Sequence, residues 1–129
     1  MSGCGSTERA ISRESILQVP IPGTAAASTS TSGDTVTRLL DVTGSWVQVS
    51  VDLSLTVQRE GWQVDSLNCV GTGNDVIAKK RVSDRWLLLE SGAGERGAGI
   101  IVRPDPGQLP PGELVVTGNC PRALVDSVS

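Results

Sequence analysis

WVQVSVDLSLTV, residues 46–57, is the stretch on which the reading of the fold turns. Val47, Val49, Val51, Leu53, Leu55 and Val57 alternate without a break against Gln48, Ser50, Asp52, Ser54 and Thr56. In a β-strand successive side chains point to opposite faces, so a period of two predicts a strand with one face in the core and one in water. On an α-helix the six aliphatic residues would spread around the circumference and leave no apolar stripe to bury. The polar reversal Gln58-Arg59-Glu60-Gly61 and the resumption at Trp62 make this strand one arm of a hairpin. Trp46 then falls on the polar side of the alternation, as a residue covered by a neighbouring strand or as an exposed contact for a protein partner, a role in which tryptophan is enriched.

Working outward, TVTRLLDV (35–42) is a first strand ended near Gly44. After the hairpin, Trp62 and Val64 share one face whereas Leu67 and Cys69 share the other, so the phase slips near Asp65-Ser66 and a β-bulge is expected there. Gly71-Thr72-Gly73-Asn74 and Ser83-Asp84-Arg85 are turns flanking a strand from Val76 to Val82, and further strands run over Trp86–Leu89, Ile100–Val102 and Glu113–Thr117. Turn signals at this spacing, with no convincing helix between them, predict an all-β domain: a small antiparallel sandwich or barrel of about six strands. Residues 1–34 are read as a flexible start and tether, 35–122 as the β domain and 123–129 as a loose tail. Within the first segment, Thr7–Val19 fits a short helix or an extended strand equally well.

Composition narrows the chemistry. The 129 residues contain no His, Phe or Tyr and three Trp, so a domain of roughly 90 residues must build its core from Val, Leu and Ile. Without histidine the usual general base of Ser and Cys hydrolases and the commonest zinc ligand are both missing. A net charge of -3 and a pI near 4.8 oppose a nucleic-acid partner. Lys79, Lys80 and Arg81 with Arg85 form the basic cluster, read as a solvated strand and turn or, alternatively, as a partner contact.

Gly92-Ala93-Gly94-Glu95-Arg96-Gly97 is a literal GxGxxG after a strand, but a dinucleotide site needs a helix to open there. The β-branched residues and prolines that follow leave no room for one, so the motif is a hairpin loop. Asn74-Asp75 lacks the acidic spacing of a calcium loop, and Asp52 and Asp65, though placed to face each other across the expected hairpin, lack the cleft of a glycosidase. No catalytic, cofactor or metal residues are assigned.

Cys69 and Cys120 stand at the ends of expected strands, in LNCVG and GNCPR. A disulfide between them would close a loop of about 50 residues and contribute about 4 kcal/mol by chain-entropy arithmetic, comparable with the stability of so small a domain. Two free thiols in a reducing compartment are the alternative.

The odd cysteine is Cys4, in Met1-Ser2-Gly3-Cys4-Gly5-Ser6. Ser2, Gly3 and Cys4 resemble the end of a bacterial lipobox, with Met1 where leucine is usual, and GTAAASTSTSG (23–33) resembles the polar tether of a mature lipoprotein. With the two further cysteines, this layout resembles small cell-envelope lipoproteins of high-GC Gram-positive bacteria and their phages. The resemblance implies lipidation of Cys4, an extracytoplasmic location on the cell membrane, and a binding or structural role with an envelope protein partner, such as phage superinfection exclusion. The rival readings are a cytosolic or virion protein-interaction domain with reduced cysteines and a histidine-independent hydrolase.

Overall fold

A computed structural model describes residues 10–129, and its main feature is one seven-stranded sheet. The strands are β1 (Thr24–Ser32), β2 (Thr35–Val42), β3 (Gln63–Val70), β4 (Gly73–Val82), β5 (Arg85–Gly94), β6 (Ala98–Pro104) and β7 (Val115–Gly118), in the spatial order β1-β2-β6-β5-β4-β3-β7. All neighbours are antiparallel except β3 and β7, which run parallel. The protein is therefore mostly β, as its turn spacing predicts, with β1 and β7 as the two edges of the sheet.

The hairpin turns follow local chemistry. Gly33-Asp34 and Gly71-Thr72 join their strands with a positive-φ glycine at the first loop position, which matches the twist of the flanking strands. Ser83 (φ 58) takes that position between β4 and β5. The expected bulge is present: the β3–β4 register shifts between Val64 and Ser66, which lets Val64, Leu67 and Cys69 all reach the core despite their uneven spacing.

The deciding stretch is not a strand. Trp46–Arg59 is an α-helix, α1, opened by Ser45, whose Oγ accepts the Gln48 amide, and followed by Gly61 at φ 97. A period-two pattern contains a period-four subset: Val49, Leu53 and Val57 stack on one face of α1 and are buried. Val47, Val51 and Leu55 form the second row and grade outward, with Leu55 exposed. The intervening polar residues are small enough to share the buried face. Ser50 Oγ donates to Asn74 Oδ1 (2.8 Å), Thr56 Oγ1 donates to the Asp52 carbonyl, and Ser54 lies buried with no partner for its hydroxyl among the described residues. The hairpin of this stretch with WQV is thereby replaced by a helix-to-strand connection at Gly61-Trp62.

Helix α1 lies across β4 and β5 and packs against a second helix, α2 (Arg122–Val128). Residues 123–129 are thus no loose tail: Leu124 and Val128 enter the core, and Gln58 Nε2 donates to the Ser127 carbonyl (2.7 Å). The tether reading also fails from Ile11 onward. Ile11, Ile16, Leu17 and Ile21 are core residues, Ser15–Leu17 forms a 3-10 turn, and Ala25–Ser32, read as tether, is strand β1 paired to β2 along its length. Arg38, on the core side of β2, is buried under this segment and donates to the Ile16 carbonyl (3.0 Å); burial lowers its guanidinium pKa. Small neutral residues do not by themselves make a flexible linker. Once a two-residue turn brings them alongside a strand, the backbone ladder suffices to order them.

Candidate binding face of the sheet

Alternation on the strands divides the sheet into a face under α1 and an open face. The covered face carries Val36, Leu40, Ile100, Val102, Leu87, Leu89, Val76, Ala78, Val64 and Leu67. The open face is read across the strands by register. One row runs Thr37, Ile101, Glu90, Ile77 and Ser66, and the next runs Leu39, Gly99, Gly92, Asp75, Asn68 and Thr117.

Two glycines in the middle of the second row lower its floor. At Gly92 a β-carbon would collide with the Asn74 carbonyl and lie 3.1 Å from Asp75 Oδ1; at Gly99 it would lie 3.5 Å from the Leu39 side chain. The backbones of β4 and β5 therefore approach more closely than a side chain permits, and the open face sinks into a trough of about 700 Å³. Leu39 and Asp41 wall it on one side and Val70 on the other, with Arg96 at the tip of the β5–β6 hairpin and Ile101 and Glu90 at the opposite end. Leu39 is 49% and Val70 70% exposed, so the rim offers uncovered aliphatic surface. Its carboxylates are Asp41, Asp75 and Glu90; Glu90 is held by Arg103 (3.0 Å). Chemically the trough suits an apolar body bearing positive charge.

The other end of the open face is closed by the segment after β6. Asp105 is buried and accepts the amides of Gly107 (3.3 Å) and Leu109 (3.2 Å) as well as Lys79 Nζ (3.2 Å). Burial acts to raise its pKa, but the Leu109 amide, Lys79 and the Gly107 amide outweigh it and hold the carboxyl below its ordinary value. Gln108 extends the ladder with its side chain, accepting the Trp86 amide at 3.0 Å and donating to the Trp86 carbonyl at 3.1 Å. Beneath this loop Leu88, although on the open face, is buried.

The residues singled out in the sequence are dispersed. Lys79 and Lys80 project from opposite faces of β4: Lys79 holds Asp105, and Lys80 bonds Glu14 (2.8 Å) and the Glu60 carbonyl and lies 5.9 Å over the Trp62 ring. Arg81 Nε donates to the Ser83 carbonyl and Arg85 is exposed where β5 begins. Trp46 is the first residue of α1 and half-buried, so its assignment to the outer face of a strand is corrected with the strand itself. Asp52 lies on α1 and Asp65 accepts the Gly112 amide (2.8 Å); no hairpin joins them. Asn74-Asp75 lies in β4, with Asn74 Oδ1 accepting from Ser50 and from the Ala93 amide, and GxGxxG is the β5–β6 hairpin, in which Gly92 pairs with Gly99.

Cys69 and Cys120 are bonded, with Cα atoms 5.2 Å apart, and this bond ties the segment between β7 and α2 to β3. Cys4 and the lipobox-like start lie outside the described residues. Among the described residues no cluster of His, Cys, Asp and Glu could hold a metal ion, and no helix is long and apolar enough to cross a membrane. Reasoning from the sequence missed the trough residues Leu39, Asp41 and Val70, and met Asp75 and Arg96 only within a rejected calcium loop and a rejected dinucleotide motif. The signal that marks them is the recurrence of glycine inside a strand pattern, which denotes close backbone approach.

Compared with known proteins, the chain matches no family model, no curated protein and no solved structure.

Proposed function

We propose that the chain is a binding module of an oxidising, extracytoplasmic compartment, anchored to the cell membrane through lipidated Cys4, that engages an envelope protein through the open face of its sheet. The observation that carries the binding role is the uncovered trough, where exposed aliphatic walls and the carboxylates of Asp41 and Asp75 surround a floor lowered by glycine. An apolar side chain flanked by lysine or arginine is the partner chemistry this lining favours. The Cys69–Cys120 bond supports the compartment, since disulfides persist chiefly where the surroundings are oxidising.

The anchoring and the compartment are tested together by expressing the gene from its own locus with radiolabelled palmitate. The expected result is a labelled, membrane-associated chain that loses both label and membrane association in Cys4→Ser, with Cys69 and Cys120 unreactive to alkylation in denaturant until reductant is added. An unlabelled chain with three alkylable thiols overturns both.

A further inference from the structure

We propose that β1 is a self-association edge through which two copies of this chain pair antiparallel over Ser28–Ser32, joining their sheets across a two-fold axis. This goes beyond the binding role of the open face and does not depend on it.

Among the described residues β1 is a nine-residue edge strand with its outer side unpaired, and beyond Thr24 all its residues are exposed. Natural edges are usually protected by charge, by proline, by shortness or by a bulge. TAAASTSTS has no charged residue and no proline. Its register shift lies between Ala26 and Ser28, so the bulge leaves Ser28 to Ser32 as an unbroken ladder on Leu39 to Thr35. The opposite edge, β7, is four residues long and runs directly into the segment held by the disulfide. The unprotected edge is therefore β1.

The occupant follows from the residues themselves. Ser28-Thr29-Ser30-Thr31-Ser32 reads the same in both directions. An antiparallel two-fold pair centred on Ser30 thus sets Ser28 against Ser32, Thr29 against Thr31 and Ser30 against Ser30, each residue meeting its own kind. Cross-strand Thr and Ser pairs of this type are favourable, and an isologous interface requires that the same surface complement itself. The register partners place Ser28, Ser30 and Ser32 on the side of Leu39 and Thr37, so the serine row continues the open face from one copy into the next.

Sedimentation of the full chain tests this. The wild type is expected at twice the 13.4 kDa chain mass. Ser30→Lys and Ser30→Glu, which each set like charges against one another across the axis, are each expected to be monomeric, and a one-to-one mixture is expected to restore the dimer. A wild type that stays monomeric at every concentration reached, charge variants that remain dimeric, or a mixture that stays monomeric overturns the proposal. Should a charge variant fail to fold, Ser30→Cys in a Cys4→Ser background keeps the test open. Oxidation should then link two chains through residue 30, whereas Ser83→Cys, in a distant turn, should not link; absence of the residue-30 link overturns the pairing.

Discussion

The two faces of the sheet are built from the same strands and differ in what holds them. Under α1 the face is mostly aliphatic, and its polar groups are buried with it: Ser50 and Asn74 bond each other, Ser54 and Ser91 carry hydroxyls with no partner among the described residues, Arg38 donates to the Ile16 carbonyl and Lys80 holds Glu14. The open face is held instead by backbone proximity at Gly92 and by the polar clasp of Asp105 on Lys79 and two amides. One side draws its stability from apolar burial, which no single hydrogen bond controls; the other depends on a few atoms whose removal is local. A surface of the second kind can remain uncovered and available for binding without loss of the core.

The largest break in this contrast is expected on the covered face. Leu53→Asp buries a carboxylate with no partner, at several kcal/mol, enough to unfold a domain of this size. Ser54→Asp should behave almost as badly, because Ser54 on α1 is 1% exposed, whereas a strand would have turned it to water. Leu39→Asp, on the trough wall, should shift stability by only about 0.5 kcal/mol. Thermal melts by circular dichroism rank the three; a well-tolerated Ser54→Asp would mean that α1 does not sit on the sheet as described.

A smaller loss is expected from Gly92→Ala. The added methyl meets the Asn74 carbonyl, a backbone atom that can move only by bending β4, so a cost of about 1–3 kcal/mol is expected. Gly107→Ala, whose β-carbon would meet only the Leu109 side chain at 3.8 Å, is the control. Urea midpoints of the pair sharpen the claim that the trough floor depends on close backbone approach, and equal midpoints would refute it.

The effect that depends on pH belongs to the clasp. The Asp105 carboxyl titrates lower in the folded chain than in the unfolded one, so near its unfolded pKa the unfolded state binds more protons and stability rises with pH. Its contribution is full above that unfolded value, about 4, and is lost as pH falls through the lower folded value. Asp105→Asn should therefore lower the urea midpoint at pH 7, with the difference from wild type shrinking progressively as pH falls below about 4. A difference that does not change with pH would mean that Asp105 acts by shape and hydrogen bonding without its charge.

What the sequence determined by itself were the features made by neighbouring residues. The turns at Gly71-Thr72-Gly73-Asn74 and Ser83-Asp84-Arg85, which the structure narrows to two residues each, the slip at Asp65, the hairpin at GAGERG and the strands between them all follow from φ preferences and facing over a few positions. The Cys69–Cys120 pair was legible from two strand-end cysteines in a chain too small to rely on its core. The candidate trough was only partly legible, because glycine spacing marks close approach but does not say which rows of the sheet remain uncovered. Tertiary structure alone decided that WVQVSVDLSLTV is a helix, since Val49, Leu53 and Val57 serve either period and the choice rests on whether Ser50 and Ser54 meet water or are buried. It likewise decided that STSTS is an edge strand, that the last seven residues dock against α1 and that β7 lies parallel to β3. Local preference amounts to tenths of a kcal/mol per residue, whereas burial of a single aliphatic side chain is worth about 1.5–3 kcal/mol, so where the two compete the partner in space prevails.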